Sequence, residues 1–365
     1  MTCLDFAERE KIQGLKNLNV PNLRFPEFSE DWVKYKMSNV CKIATGNKNT
    51  QDKVEDGLYP FYVRSQNIER INSWTFEGEA ILTAGDGVGV GKVFHYSLGK
   101  IGVHQRVYIL SDFNCYGKFL FNYFSSRFYN RVKRMSAKNS VDSVRMEMIA
   151  DMPISIPKER EQIKIGELLS LLDQRITTQN KIIEQLQSLI KGIVVSIASG
   201  KPNTNISKCL VCKSSTLQEN QIEECGDYPV YGANGVCGYT DKADFDSPAI
   251  LIVKDGSGVG NVRYVNGKYS VIGTQNILTA QNGYCLKYIF YSLKTFNFVP
   301  YKTGMAIPHI YFKDYGKAKI YCPDFEQQVK IASQIDLIES KIEIETQLLN
   351  KYEEQKKFLL SNMFI

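Results

Sequence analysis

Two stretches of the chain share one hydrophobic rhythm. Ile165, Leu169, Leu172, Ile176, Gln179, Ile183, Leu186, Ile190, Ile193 and Ile197 alternate steps of four and three residues. Ile331, Ile335, Ile338, Ile342, Glu345, Leu349, Tyr352, Lys356, Leu359 and Met363 do the same. A 4-3 rhythm holds side chains on one helix face, and more than four heptads of it predict a coiled-coil seam rather than a helix that only covers a core. Each stretch runs for about 40 residues, roughly 60 Å of helix at 1.5 Å per residue. The seam carries a mid-helix polar residue at the same heptad position in both, Gln179 and Glu345. In an antiparallel pair these two come within about one turn, costing stability while fixing register.

The helices belong to a larger repeat. Pro157-Lys-Glu-Arg-Glu-Gln-Ile-Lys-Ile and Pro323-Asp-Phe-Glu-Gln-Gln-Val-Lys-Ile correspond at an offset of 166 residues. Proline is expected at the first helical position of each, with acid in the first turn suiting the helix dipole. Ser199-Gly200-Lys201-Pro202 reads as a glycine C-cap followed by proline. Ahead of each helix lies a module whose turns also repeat. Tyr59-Pro60-Phe61-Tyr62 matches Tyr228-Pro229-Val230-Tyr231, and Ala80-Ile81-Leu82 matches Ala249-Ile250-Leu251. Asp86-Gly87-Val88-Gly89-Val90-Gly91 matches Asp255-Gly256-Ser257-Gly258-Val259-Gly260. Spacing further equates Gln105 with Gln275, His104 with Thr274 and His95 with Tyr264.

Short apolar runs at 93–96, 106–110, 262–265 and 276–278 predict strands, and helices are expected near 116–133 and 285–295. The fold class is therefore α+β, an internal pseudo-two-fold repeat of module and long helix. Its expected parts are an N-terminal segment 1–19, a module 20–157, a helix 158–200, a module 201–322 and a helix 323–365.

Composition narrows the chemistry. Aromatic residues make up 12% of the chain and the net charge is +6, which permits a polyanionic partner without demanding one. The charge is unevenly placed. Residues 20–157 hold 18 Lys/Arg against 14 Asp/Glu and residues 201–322 hold 13 against 9, whereas the second helix is net acidic. Arg127, Arg131, Lys133, Arg134, Lys138 and Arg145 form a basic run opposed by Asp142. Taken alone this run reads as a solvated helix face, whereas phosphate contact explains both the sign of the charge and its location in the modules. Residues 1–20 lack the apolar core of a secretory signal, and nowhere do some 18 apolar residues run together, so no membrane span is expected. Nine cysteines without a signal suggest reduced thiols in the cytoplasm. Cys209 and Cys212 have CxxC spacing, but a zinc ribbon needs a second such pair, so ordinary thiols are the favoured reading.

Catalytic motifs do not fit. The glycine-rich turn leads into a β-like segment rather than a helix, unlike a dinucleotide fingerprint, and lacks the Gly-Lys-Ser/Thr of a P-loop. It reads as a tight β-connection with positive φ values. His95, His104 and His309 show no metal-ligand spacing and are expected to be solvated or hydrogen-bonded. Base readout calls for Arg, Lys, Gln, Asn or Ser on loops. In the first module the candidates are Arg64, Gln66, Lys92, Gln105 and Arg106, with Arg131 and Arg134 for phosphates. In the second they are Lys254, Arg263, Gln275, Asn276 and Lys302.

This layout resembles the specificity (S) subunit of type I restriction–modification enzymes. The resemblance covers nearly all of residues 20–365. It is carried by Pro21-Asn22-Leu23-Arg24-Phe25-Pro26-Glu27-Phe28 with Trp32, the duplicated Asp-Gly-x-Gly-x-Gly turn, and the two Pro-led helices with Glu-Gln or Gln-Gln. It implies two target-recognition domains held apart by an antiparallel coiled coil, each reading half of a bipartite site in double-stranded DNA. It further implies a non-catalytic chain without cofactor of its own, bound to two modification subunits that methylate adenine with S-adenosylmethionine. Restriction subunits using ATP and Mg would join them, all in the cytoplasm and away from any membrane. A specificity subunit of a related restriction–methylation system, and a coiled-coil scaffold with protein- or glycan-binding modules, are the alternatives. The second module departs from the pattern in lacking the Leu-Arg-Phe-Pro lead-in.

Overall fold

A computed structural model describes residues 19–135, 143–256 and 258–365. Of the N-terminal segment 1–19 it includes Asn19 alone, and Lys138, Asp142 and Ser257 lie outside the described residues. The chain divides into two compact units. One comprises the described residues up to Gln179 with Leu348–Ile365, the other Asn180–Gln347. The division runs through both long helices, so each unit holds one module and part of each helix.

In the first unit the elements are β1 (Val33–Lys36), β2 (Lys42–Thr45), β3 (Tyr59–Tyr62), β4 (Glu69–Ile71), β5 (Phe76–Ala84), β6 (Phe94–Val103), β7 (Val107–Ser111), α1 (Gly117–Met135), α2 (Met146–Ala150), β8 (Pro153–Ile156) and the start of α3 (Glu159–Ser199). Six strands form one sheet in the order β2-β7-β5-β6-β3-β4, and β1 pairs with β8. Ala80, Ile81, Leu82 and Thr83 of β5 are all buried, so this strand reads as an unbroken run rather than an alternation. Ile81 packs on α1 with Phe119, Phe124 and Phe128. Ala80 and Leu82 pack on the other face with Tyr62, Val103 and Ile109.

The second unit continues with β9 (Thr204–Asn205), α4 (Ile206–Cys209), β10 (Leu210–Ser214), β11 (Tyr228–Gly232), β12 (Gly235–Thr240), β13 (Ala249–Val253), β14 (Val262–Val265), β15 (Ser270–Val271), β16 (Gln275–Ala280), α5 (Leu286–Lys294), α6 (Phe312–Tyr315), β17 (Lys319–Ile320) and the start of α7 (Phe325–Asn362). The order β10-β16-β13-β14 repeats β2-β7-β5-β6. The parallel pairing of β11 with β15 repeats that of β3 with β6. What is one strand in β6 is split here into β14 and β15.

Strand register corrects part of the sequence alignment. Leu82 pairs with His95 and Leu251 with Arg263, so His95 corresponds to Arg263 and not to Tyr264. Ala84 pairs with Val107 and Val253 with Gln275, so Gln275 takes the place of Val107. The backbone N–H of Gln105 donates to Lys48 O as that of Gly273 does to Leu217 O. Gln105 therefore corresponds to Gly273, His104 to Ile272 and Arg106 to Thr274. The second module is one residue shorter between the glycine turn and the following strand, which spacing alone conceals.

The helix starts also differ from expectation. Helix α3 begins at Glu159 and α7 at Phe325, two residues after each proline. Pro157 and Pro323 use their carbonyls to accept hydrogen bonds from the Nε2 groups of Gln162 and Gln328. The same two amides accept from backbone N–H groups of Tyr116 at 2.8 Å and Cys285 at 3.0 Å. Both glutamines are buried, so each forms a satisfied clamp between the long helix and the start of α1 or α5. At the far end of α3, Gly200 has no positive φ. A Cβ there would stand 2.3 Å from the Tyr321 ring, so close approach rather than a left-handed cap requires glycine.

Every seam position named from the sequence is buried or half-buried. Within the first unit Leu169 shares a core with Leu359 and Met363, Asp173 pairs with Lys356, and Arg175 lies over Tyr352. Numbers rise along α3 as they fall along α7. Within the second unit Ile190, Ile193 and Ile197 share a core with Ile331 and Ile335. By length and composition, α3 is the one helix among the described residues that could cross a membrane, although no run of apolar residues foretold it. Besides its seam it carries Leu171, Leu189 and Val195, which are exposed and raise its apolar content beyond what the seam supplies.

The lead-in has a structural role in the first unit. Arg24 makes a two-pronged pair with buried Glu161, at 2.7 and 2.6 Å, and Trp32 packs edge-on against Phe119. The corresponding position on α7 is Gln327, whose backbone N–H is capped by Asp324. The module lacking the lead-in thus also lacks the acid that would hold it.

Candidate nucleic-acid interface

The glycine-rich turns join β5 to β6 and β13 to β14, the tight β-connections expected. Gly87 and Gly91 have φ of 81° and 65°, Gly256 and Gly260 of 95° and 93°. Such angles strain any residue with a Cβ. Each turn begins with an aspartate that faces a polar side chain from elsewhere in its module, Arg64 for Asp86 and His309 for Asp255.

In the first unit Asp86 Oδ1 accepts from Arg64 Nη1 at 2.8 Å, and Arg106 Nε lies 3.6 Å from Oδ2. These residues line an open cleft of about 310 Å³ with Asn49, Thr50, Gln51, His104 and Gln105. Gln105 Nε2 donates to Asn49 Oδ1 at 2.7 Å. His104 Nδ1 accepts the backbone N–H of Arg106 at 3.0 Å, which leaves the imidazole proton on Nε2 and fixes the loop carrying Arg106. Three residues singled out by residue type, Arg64, Gln105 and Arg106, thus meet in one place. Asp86, Asn49 and His104 complete it and were not singled out. The repeated aspartate was the available signal for Asp86.

The other first-module candidates are dispersed. Gln66 is exposed. Lys92 is exposed and lies over the Tyr129 ring. Arg131 donates from Nε to Met148 O and Arg134 from Nε to Asn130 O. With Arg127 these two line a separate pocket of about 280 Å³.

In the second unit Asp255 faces His309, whose Nδ1 is 3.1 Å from Oδ1. Lys254 neighbours this turn, half-buried, and Lys302 is exposed on the loop before His309. Met305 and Ile307 of that loop are also exposed. Arg263 lies over the Tyr231 ring, where its counterpart His95 lies against Tyr62. Gln275 and Asn276 do not belong to this surface. Both are buried, donating to Tyr231 O and to Tyr315 Oη, as their place in the central sheet requires.

All eight cysteines among the described residues are unpaired. Cys209 meets Cys322, with Sγ atoms 3.7 Å apart, rather than Cys212. Among the described residues no group of three or more His, Cys, Asp or Glu is placed to hold a metal.

Burial holds His95 below the ordinary imidazole pKa, and burial followed by the Arg64 charge does the same to His104. The unfolded chain takes up these protons near pH 6.5, whereas the folded unit resists them to lower pH. The resulting stability is complete above about pH 6.5 and is lost as pH falls through the depressed native pKa values. Thermal unfolding between about pH 7.5 and about pH 5.5 is expected to show a shallower pH dependence for His95→Gln with His104→Gln than for the natural chain. Equal slopes contradict this.

A doubled α+β module with a long helix, and a paired aspartate at the same turn of each, defines a class of paired-module proteins. The chain belongs to the type I restriction modification DNA specificity domain family, whose model matches residues 29–188 and 209–354. Each match covers a module with much of the helix that follows. The chain is 24% identical over 178 residues to the type I restriction enzyme EcoDI specificity subunit of Escherichia coli, covering 49% of this chain and 39% of that protein. It is 26% identical over 204 residues to the MjaVIII specificity subunit of Methanocaldococcus jannaschii, covering 52% of this chain and 45% of that protein. These matches span less than half of either relative's length. The fold is similar to that of a type I restriction-modification S subunit from M. genitalium. The TM-score is 0.68 at 17% identity, covering 95% of this chain and 99% of that one.

Proposed function

We propose that the chain is the DNA-recognition subunit of a type I restriction–modification complex, and that it performs no chemistry itself. One observation carries this reading. The two modules present the same aspartate-led turn on the same sheet frame, yet surround it with different side chains. Arg64 and Arg106 in the first become Ala233 and Thr274 in the second. A shared frame with different contact residues suits two readers of different half-sites.

On this reading α3 and α7 form an antiparallel coiled coil. The opposed numbering of their contacts within the first unit, and the covered seam, support it. An antiparallel pair gives the modules a pseudo-two-fold relation that matches the approximate two-fold symmetry of duplex DNA. Its length then sets the separation of the half-sites, with Gln179 and Glu345, both buried, as register-setting residues. Base edges are read by Arg64, Gln66, Lys92, Gln105 and Arg106 in the first module, and by Lys254, Arg263 and Lys302 in the second. Arg131 and Arg134 contact phosphates, which position without specifying. Two modification subunits, using S-adenosylmethionine, and restriction subunits, using ATP and Mg, are the partners, and the cytoplasm is the site of action. Co-expression with type I modification subunits, followed by genome-wide mapping of methylated adenine, tests the reading. A two-part methylated sequence is expected. Methylation independent of this chain contradicts it.

A further inference from the structure

We propose that the first module reads a G·C pair through Arg64 and Arg106, and that Asp86 is the residue positioning both. This rests on the DNA-recognition reading above and names the base that one half-site must contain. The guanidinium groups lie on opposite oxygens of one carboxylate, at 2.8 and 3.6 Å. Their side chains are 45% and 65% exposed, so the pairs contribute little to folding. What the arrangement does accomplish is orientation. Arg64 engages Asp86 through Nη1 and Arg106 faces it through Nε, so that among the described residues further N–H groups of each fork have no partner and line an open cleft. The backbone of Arg106 is fixed in turn by His104 and by its carbonyl, which accepts from Gly85 N–H at 2.8 Å.

The carboxylate decides between a phosphate and a base as the ligand. A phosphate brought to Arg64 and Arg106 would be repelled by Asp86 between them. The edge of guanine offers O6 and N7 as neutral acceptors suited to an arginine fork, and the paired cytosine offers an N4–H donor suited to a carboxylate. Arginine and aspartate together complement a whole G·C pair. The second module keeps the aspartate but has Ala233 and Thr274 at the arginine positions and His309 against Asp255. It lacks the fork, and its half-site carries no such requirement at this turn.

The test is selection from a pool of duplexes of randomised sequence. It uses the full chain, alone and copurified with modification subunits, beside Arg64→Gln, Arg106→Gln, Asp86→Asn and His309→Gln. The natural chain is expected to enrich a two-part sequence with a fixed G·C pair in one half. Arg64→Gln or Arg106→Gln relaxes that position by tenfold or more. Asp86→Asn relaxes the same position while leaving thermal unfolding unchanged, which a merely structural role would not produce. His309→Gln affects only the other half. Replacing the fixed guanine by 7-deazaguanine, which lacks the N7 acceptor, weakens binding by the natural chain but not by the arginine variants. If a two-part sequence is enriched without a G·C pair that responds to these variants, this proposal is overturned and the recognition reading stands. If no sequence is enriched in either preparation, both fall.

Discussion

Deleting residues 180–186 and 338–344 together is expected to shorten the spacer between the half-sites and leave both half-sequences unchanged. Each deletion removes one heptad, so the 4-3 rhythm of Ile165 to Ile197 and Ile331 to Met363 continues across the join. The two segments flank Gln179 and Glu345 and lie within about one turn of each other in an antiparallel pair. Seven residues at 1.5 Å remove about 10 Å of helix, which is close to three base pairs at about 3.4 Å each. Adenine methylation mapping in cells carrying the deletion reads the spacer directly. An unchanged spacer sinks the idea that the helices measure distance.

The largest expected loss of stability follows Glu161→Leu. Glu161 is 1% exposed, and its hydrogen bond, followed by its charge, raises the Arg24 pKa further above the ordinary guanidinium range. Removing the acid leaves a mostly covered guanidinium with the Glu30 carbonyl, 2.6 Å from Nη2, in place of a charged partner. Breaking a buried pair at one end costs about 3–5 kcal/mol, whereas replacing both partners by apolar groups is often neutral. Thermal unfolding is expected to show the first unit melting earlier in Glu161→Leu. Much of the loss should be recovered in Arg24→Met with Glu161→Leu. Equal melting of the natural chain and the single variant contradicts the assignment. Glutamine stands naturally at the corresponding Gln327, where no arginine lead-in has to be held.

What the sequence disclosed, and what it did not, divides by range. The seam was legible because a 4-3 rhythm is a local pattern and burial follows from it. The glycine turns were legible because Gly87, Gly91, Gly256 and Gly260 all need φ values that side chains disfavour. The equivalence of Gln105 with Gln275 failed for a long-range reason. One residue is missing after the second glycine turn, and only cross-strand register reveals it. That slip moves Gln275 from a loop tip into a central strand. The clamps of Gln162 and Gln328 reach 46 and 43 residues along the chain, beyond any local signal. Asp86 was visible as part of a repeated turn, but its partners come from 22 and 20 positions away, brought to it by the sheet.

The central claim is that two independent readers sit on one frame, and exchanging one of them tests it most directly. Residues 201–322 are replaced by the corresponding module of another family member, and methylated adenines are mapped genome-wide in cells that also carry the modification subunits. A new sequence in one half of the site is expected, with the other half and the spacer retained. A change in both halves contradicts it.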